Sequence, residues 1–302
     1  TGILPRRAWW GVRPMSGGKG AKMAGGRGTR LFIVPMAMVA VLFVAIPLCY
    51  VLVISFMTRG DNSTIQAIFT AENSRRLLDP NYARVFLNSM LLALWTTLLA
   101  LLLGYPFGYC MARANRRWRA LLMLLVIVPF WTNALVRLYG WKILLQANGP
   151  VNAVLQALGL IDQPLRMVGS YGSVLLAMVY CLIPFMILPC HSAVDKMDWS
   201  CVEAARDLGA RPWYAFLTVT LPLTLPGISA GCVLVFVPSL GLFFVSDLMG
   251  GSLMLVGNLI RDQLPKSRDW PFGAALSVLL MAVTVLIFGL YRRSGGKDLG
   301  VF

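Results

Sequence analysis

The sequence predicts an all-α integral membrane protein with six transmembrane helices. Of its 302 residues, 58% are hydrophobic and only 13% are charged, and the mean hydropathy is +0.72. A soluble protein usually carries about 25% charged residues. Six stretches of the chain are also long and apolar enough to cross a bilayer, which takes about 20 residues per helix. The composition and the lengths of the apolar stretches therefore both indicate an integral membrane protein.

The six apolar stretches follow one another along the whole chain. They are residues 31–56, 86–112, 120–136, 167–194, 212–246 and 270–291. The third continues past Arg137 toward Tyr139, and the fifth is too long for a single span. None alternates polar and apolar residues with the period of two that a membrane β-strand requires. We therefore expect each stretch to be helical.

The net charge of +15 has two interpretations, a nucleic-acid surface or the positive-inside bias of a membrane protein. The positions of the charges decide between them. Of the 27 Lys and Arg residues, 17 lie in the two tails and in the connections that precede spans three and five. Basic connections stay in the cytoplasm, so both termini are predicted to be cytoplasmic. Because these residues flank spans and form no separate domain, no nucleic-acid partner is expected.

The two ends of the chain lie outside the predicted membrane domain. Residues 1–30 are rich in Gly and Arg without periodicity, which predicts a disordered basic cytoplasmic tail. Since the sequence begins with Thr, Met15 and Met23 are candidate starts of translation. Residues 31–292 are expected to form one transmembrane domain, and residues 293–302 a short cytoplasmic tail.

Residues that could carry chemistry are few. The six cysteines form no CxxC pair, and His191 is the only histidine, which disfavours a metal site. No GxxxxGK[ST] sequence is present, so the chain cannot bind ATP by a P-loop. We expect no catalytic residue, no metal and no cofactor in this chain. Any process driven by ATP would then need a partner chain that binds the nucleotide.

The connection at residues 195–222, before span five, has the strongest local signals. Ser200 and Glu203 have the spacing of a capping box, in which each side chain satisfies a backbone N–H of the other residue. Gly209 lies where a left-handed residue would end that helix. A capped surface helix without any special role is the alternative interpretation.

Prolines mark the second half of the same connection. Pro212 suits the first turn of a second short amphipathic helix that carries Trp213 and Phe216. Pro222 and Pro226 are expected to mark the turn into the membrane, because the residue before a proline avoids the helical conformation.

This connection resembles the EAA motif of ABC-importer permeases, EAA-x3-G-x9-I-x-L-P. The chain has Glu203-Ala204-Ala205, then Gly209 after three residues, and Val219-Thr-Leu221-Pro222 after nine more, with valine at the isoleucine position. Residues from about 31 to 292 further resemble the PotB-type permeases of spermidine/putrescine importers. The stretches that carry this resemblance are 128–133 (VPFWTN), 203–209, 222–227 (PLTLPG), 245–251 (VSDLMGG) and 268–273 (RDWPFG).

The resemblance implies a type I ABC importer permease fold in the bacterial inner membrane, with a cytoplasmic coupling helix. It also implies a cytoplasmic ABC ATPase dimer that binds ATP and Mg²⁺, a second permease subunit and a periplasmic substrate-binding protein. The solute would be a small cation, spermidine or putrescine, moving from periplasm to cytoplasm. The residues expected to couple the chain to the ATPase are Glu203, Ala204, Ala205, Gly209, Leu221 and Pro222.

A substrate path is predicted from polar and aromatic residues at matching depths. An aromatic face attracts an alkylammonium, and a polar amide inside a membrane must face a partner or water. Acids near the outer ends of spans would give the outer entrance of the path a negative charge. The residues of this path are Trp131, Asn133, Tyr180, Asp247 and Asp269. The alternatives are that the two aromatic residues face lipid or pack in the core, and that Asp269 is an interface anchor.

Three other functions stay open from sequence. The chain could be a permease for another small solute. A secondary transporter or channel often places acids deep in its spans, and none lies at a span centre here. A membrane enzyme would need a cluster of His, Asp or Glu at one depth, which the sequence does not indicate.

Overall fold

The computed structural model describes residues 27–60, 65–263 and 265–293. The predicted tails lie outside these residues, except that residues 27–30 begin the first helix and Arg293 ends the last. The chain divides into two compact units, residues 1–50 and 51–302. In the first unit, α1 (Arg27–Ala40) is followed by a π-helical turn (Val41–Ala45) and by α2 (Ile46–Ser55), which continues into the second unit.

Helices also form most of the second unit. The described helices after α2 are α3 (Glu72–Arg76), α4 (Pro80–Arg113), α5 (Arg116–Trp131), α6 (Ala134–Leu145), α7 (Pro150–Ala157), α8 (Tyr171–Lys196), α9 (Ser200–Asp207), α10 (Pro212–Ala215), α11 (Leu221–Gly241), α12 (Phe243–Met249), α13 (Val256–Gln263) and α14 (Trp270–Arg293). A π-helical turn (Phe216–Thr220) joins α10 to α11.

A small β-hairpin interrupts the predicted all-α pattern. Strand β1 (Met57–Arg59) pairs antiparallel with β2 (Ile65–Phe69), and the Thr58 hydroxyl donates to the Ile68 carbonyl at 2.9 Å. The Asn73 amide donates to the carbonyls of Ser55 and Met57, which holds α3 against the start of this hairpin. The hairpin lies between the predicted spans, so the chain remains a helical membrane protein.

Five helices among the described residues are long and apolar enough to cross a membrane. They are Val34–Ser55, Pro80–Arg113, Tyr171–Lys196, Pro212–Gly241 and Trp270–Arg293. A sixth candidate is the pair Arg116–Trp131 and Ala134–Ala157, which is bent by 97°. Five of the predicted spans are thus found as single helices, and the count of six depends on whether the bent pair forms one span.

The expectation that residues 120–136 are helical throughout is wrong, because residues 132 and 133 interrupt the helix. Helix α5 ends at Trp131, where the Thr132 hydroxyl donates to the Pro129 carbonyl at 2.7 Å. The Asn133 side chain then accepts from the Leu135 N–H at 2.8 Å and starts α6 in a new direction. An asparagine side chain that bonds to a nearby backbone N–H favours the start of a new helix over the continuation of the preceding helix.

The predicted turn at Pro222 and Pro226 is also wrong, because one helix runs from Pro212 to Gly241. Pro222 lies in the first turn of α11, directly after the π-helical turn. Prolines within membrane helices are accommodated by local π-helical adjustment, and the π-helical turn before Pro222 is such an adjustment.

Three long helices, α4, α8 and α11, form the core of the second unit. Side chains with almost no exposed surface, such as Leu92, Met186 and Val235, fill the space between them. The Tyr105 hydroxyl of α4 forms a buried 3.0 Å hydrogen bond with the Thr224 hydroxyl of α11. A Cβ at Gly227 would lie 2.7 Å from the Pro189 carbonyl oxygen, so this residue lets α11 approach α8 closely.

Candidate functional site

Residues 200–222, which we call the EAA segment, form two helices joined by a tight bend. Helix α9 has no buried residue. Gly209 follows it with a φ of +87°, the left-handed conformation predicted for it. The Ala210 N–H donates to the Ala205 carbonyl at 3.1 Å, and the Gly209 N–H donates to the Arg206 carbonyl at 2.9 Å. This pair of bonds is a Schellman motif, which satisfies the last carbonyls of α9.

The start of α9 differs from the predicted capping box. The Glu203 N–H already donates to the Trp199 carbonyl at 3.1 Å, so Ser200 is inside the helix and cannot cap it. The Asp198 carboxylate accepts from the Ser200 N–H at 3.0 Å instead. Hydrogen bonds from the Ser200 side chain and backbone hold the pKa of Asp198 below its ordinary value. The capping-box prediction is therefore wrong, because an acid two residues earlier satisfies the helix start.

The outer side of the EAA segment is an exposed apolar surface. Glu203 and Ala204 are exposed, and Leu208 is 90% exposed. A shallow depression beside them is lined by Ala205, Leu208, Gly209, Ala210, Arg211, Tyr214 and Thr218. Because exposed apolar surface of this kind marks interaction sites, this surface is suited to contact a partner chain.

A series of aromatic contacts links the EAA segment to the core. Trp213 stacks on Phe216 with ring centroids 5.6 Å apart, and Phe216 lies 6.1 Å from both Tyr105 and Tyr109 of α4. Tyr109 in turn contacts Trp199 edge-on at 6.1 Å. The sequence alone does not single out Tyr105, Tyr109 or Trp199, although the four-residue spacing of the tyrosines places them on one helix face.

Leu221 and Pro222 lie where the EAA segment becomes α11. Leu221 packs against the core between α4, α8 and α11, whereas Pro222 is exposed. The six predicted coupling residues therefore extend from the exposed surface of α9 to the first turn of a core helix.

Trp131 and Asn133 lie on either side of the break between α5 and α6. Trp131 is the last residue of α5 and its side chain is 82% exposed. The Asn133 side chain is used as the cap of α6. This amide was predicted to face a partner or water. Its partner in the structure is the backbone of the same chain.

Tyr180 has a cation on its ring, and that cation belongs to the same chain. The Arg137 Cζ lies 5.6 Å from the centroid of the Tyr180 ring and 5.3 Å from that of Phe130. Trp141 contacts Tyr180 edge-on at 5.5 Å, and Phe185 contacts Phe130 at 5.3 Å. We call these four aromatic side chains the aromatic cleft. Among the predicted path residues, only Tyr180 belongs to it, and Phe130 faces Arg137 in place of the adjacent Trp131.

Asp247 belongs to a cluster of charges at α12 and α13. Its carboxylate pairs with Arg261 and accepts from the Asn258 amide at 2.6 Å. Arg261 also pairs with Asp262 at 2.7 Å, and Asp262 pairs with Lys266 at 2.6 Å. The hydrogen bond from Lys266, together with Arg261, holds the pKa of Asp262 below its ordinary value. Asp247 is therefore partly neutralised, although it remains exposed.

Asp269 has a separate set of partners and a buried side chain. One carboxylate oxygen accepts from Arg76 at 2.8 Å, and the other accepts from the Phe272 N–H at 3.2 Å. The side chain is only 4% exposed. Asp269 therefore caps α14 and binds α3, and the structure does not bring it together with Asp247.

Taken together, the bundle of long apolar helices and the exposed helix pair indicate a membrane protein with a surface suited to a partner chain. The chain belongs to the family of binding-protein-dependent transport system inner membrane components, whose model matches residues 104–295. It is a multi-pass inner-membrane permease of the ABC importer class.

Two relatives and one solved structure show which permeases this chain is similar to. The chain is 48% identical over 255 residues to the spermidine/putrescine transport system permease protein PotB of Escherichia coli K12, which covers 84% of this chain and 93% of that protein. It is 44% identical to the PotB protein of Haemophilus influenzae, over 84% of this chain and 90% of that protein. A bacterial alginate ABC transporter, solved with an alginate-bound periplasmic protein, shares the fold with a TM-score of 0.68 and 16% identity, over 89% of this chain and 95% of that one.

Proposed function

We propose that this permease carries spermidine and putrescine from the periplasm to the cytoplasm as part of an ATP-driven importer. The observation that carries this proposal is the 48% identity, over 84% of the chain, to a relative named for spermidine/putrescine transport. The chain itself would supply the path, and it would have no catalytic site of its own.

The proposed partners follow from this role. A cytoplasmic ABC ATPase dimer would bind ATP with Mg²⁺ and hydrolyse it, since this sequence has no P-loop. A second permease subunit would complete the path, and a periplasmic binding protein would deliver the polyamine. The solved complex of the alginate transporter with its periplasmic protein supports that kind of partner.

The proposed orientation places both termini in the cytoplasm, on the side where 17 of the 27 basic residues lie. The EAA segment then lies on the cytoplasmic side as well, where its exposed Leu208, Trp213 and Tyr214 would contact the ATPase. A periplasm-specific reporter fused after residue 302 should be inactive, and a cytoplasm-specific reporter should be active. The opposite pattern would contradict this orientation.

Motion of the ATPase would reach the membrane through the contacts already described. Glu203, Ala204 and Ala205 would form the docked surface, and Gly209 would hold the bend between the two helices. Leu221 and Pro222 would transmit movement into α11, while the Phe216 contacts would transmit it to α4. Coupling of this kind is a free energy shared by two sites, so it should alter both uptake and ATP hydrolysis.

The proposed substrate path includes Trp131, Tyr180 and Asp247. Trp131 is exposed at the break between α5 and α6, and Asp247 is exposed despite its ion pair. Asn133 and Asp269 are assigned to the structure of this path, because their side chains cap α6 and α14.

The direct test is uptake of radiolabelled spermidine by a polyamine-uptake-deficient bacterium that expresses the complete transporter. We expect uptake that requires this chain and stops when the P-loop lysine of the ATPase is replaced. Trp131→Ala and Asp247→Asn should reduce uptake while ATP hydrolysis continues. Uptake that survives loss of ATPase activity would favour a secondary transporter or channel, and uptake of only a different solute would contradict the polyamine assignment.

A further inference from the structure

The aromatic cleft holds a positive charge without a negative partner. None of the ion pairs within residues 27–60, 65–263 and 265–293 includes Arg137. Its Nε is buried and has no hydrogen-bond partner. The guanidinium instead lies between the rings of Phe130 and Tyr180, at 5.3 and 5.6 Å. Its contacts with these two rings are cation–π contacts, which lie within the roughly 6 Å range of that interaction.

Tyr180 and the backbone beside Arg137 are held by packing, whereas the cation is carried on a long side chain. Tyr180 is on the core helix α8, and Leu138, beside Arg137, is fully buried. The Arg137 N–H donates to the Asn133 carbonyl at 3.3 Å in the first turn of α6. Arg137 itself is only half-buried, so its side chain can leave the cleft without unfolding α6.

We propose that Arg137 is a tethered cation that occupies the aromatic cleft when no substrate is present and competes there with a substrate ammonium group. This inference rests on the proposed polyamine substrate, and it makes Arg137 a residue that determines affinity within the path. A primary ammonium and a guanidinium bind an aromatic face by the same attraction to the ring quadrupole. Two cations cannot share the cleft, because like charges repel strongly at a few ångströms.

The consequence is that a polycation binds more weakly at this site than it would to the aromatic rings alone. A substrate that enters must displace Arg137, and the return of Arg137 favours release. A carrier gains from such a site, since tight binding of the solute within the path would slow each cycle.

The test is equilibrium binding of radiolabelled spermidine to the assembled transporter in nanodiscs, without binding protein or nucleotide. Arg137→Met removes the charge and keeps a similar length, and it should tighten binding by roughly twofold to thirtyfold, the range for one cation–π contact. Arg137→Lys keeps a tethered cation and should bind like the wild type. Adding Tyr180→Leu to Arg137→Met should remove the gain.

Binding by Arg137→Met that is equal to or weaker than that of the wild type would overturn the proposal. If that variant does not assemble, Arg137→Gln is judged by the same criterion. The two proposals can fail separately. A transporter that imports spermidine but shows no tighter binding in either variant would contradict the tethered cation alone, whereas one that neither imports nor binds spermidine would contradict the polyamine assignment.

Discussion

The guanidinium of Arg76 donates a hydrogen bond to the Asp269 carboxylate at 2.8 Å and joins α3 to the start of α14, 193 residues further along the chain. The second oxygen of the same carboxylate caps α14 through the Phe272 N–H. Arg76 also lies over the Phe272 ring, 4.2 Å from its centroid. One buried acid therefore supports both a helix start and a contact between distant parts of the chain.

Asp269→Ala should destabilise the protein by about 1–3 kcal/mol, because it removes a cap and leaves Arg76 without its charged partner. Asp269→Asn keeps an acceptor for the Phe272 N–H and should lose less. The measurement is thermal unfolding of the purified transporter in detergent. An Asp269→Ala protein that keeps its unfolding temperature but loses uptake would instead place Asp269 in the substrate path.

Gly209→Val should abolish uptake while the chain still inserts in the membrane. At a φ of +87°, a β-branched residue is strained by about 1–2 kcal/mol or more, although no atom lies within 4 Å of its Cβ. Gly209→Asn, which tolerates the left-handed conformation, should retain uptake. The measurements are spermidine uptake and ATP hydrolysis at matched abundance.

Gly159 supplies a matched control for that prediction. It follows α7 in the same left-handed conformation, with a φ of +67° and no atom near its Cβ, but it lies far along the chain from the EAA segment. Gly159→Val should introduce similar strain and leave uptake largely intact. Equal loss of uptake in both valine variants would assign the effect to stability and would contradict a coupling role for Gly209.

Asp198→Ala should loosen the first turn of α9, whereas Ser200→Ala should have a smaller effect, because Asp198 is the capping residue. Hydrogen–deuterium exchange of α9 in the assembled transporter measures this. Since the folded-state pKa of Asp198 lies below its unfolded value, its contribution is present above about pH 3.9 and is lost as the pH falls through the folded pKa.

The acid dependence provides the control for the cap. Protection of α9, corrected for intrinsic exchange, should fall below about pH 4 in the wild type. Asp198→Asn caps the helix without a titrating carboxyl, so the protection of α9 in this variant should not change with pH through residue 198. Faster exchange in Ser200→Ala than in Asp198→Ala would restore the capping box.

Gly227→Ala should destabilise the protein, because the new Cβ would lie 2.7 Å from the Pro189 carbonyl oxygen and force α8 and α11 apart. Overpacking of this kind typically costs about 1–3 kcal/mol, and here the contact is with rigid backbone. Gly289→Ala on α14 has no atom within 4 Å of its Cβ and is the matched control. Membrane abundance and unfolding temperature should fall for the first variant only.

The sequence by itself determined the class of protein and the elements that depend on neighbouring residues. Membrane spans can be predicted from sequence because every backbone polar group in a bilayer must be hydrogen-bonded within its own helix. Such a helix appears in the sequence as a long apolar stretch. The left-handed Gly209 is readable because only a few residue types adopt that conformation cheaply. The family was also predictable, because the residue types and spacing of the EAA segment lie within one short stretch of sequence.

Only the tertiary structure decided which polar residues are free to act. The Asp198 cap and the Asn133 cap were present in the sequence, but competing acceptors a few residues apart could not be ranked without backbone geometry. The side-chain partners of Asp269, Asp247 and Tyr180 lie between 11 and 193 residues away along the chain. Side chains so distant meet only when the helices pack, so an acid or an aromatic ring predicted to face a solute was already occupied by an arginine of the same chain.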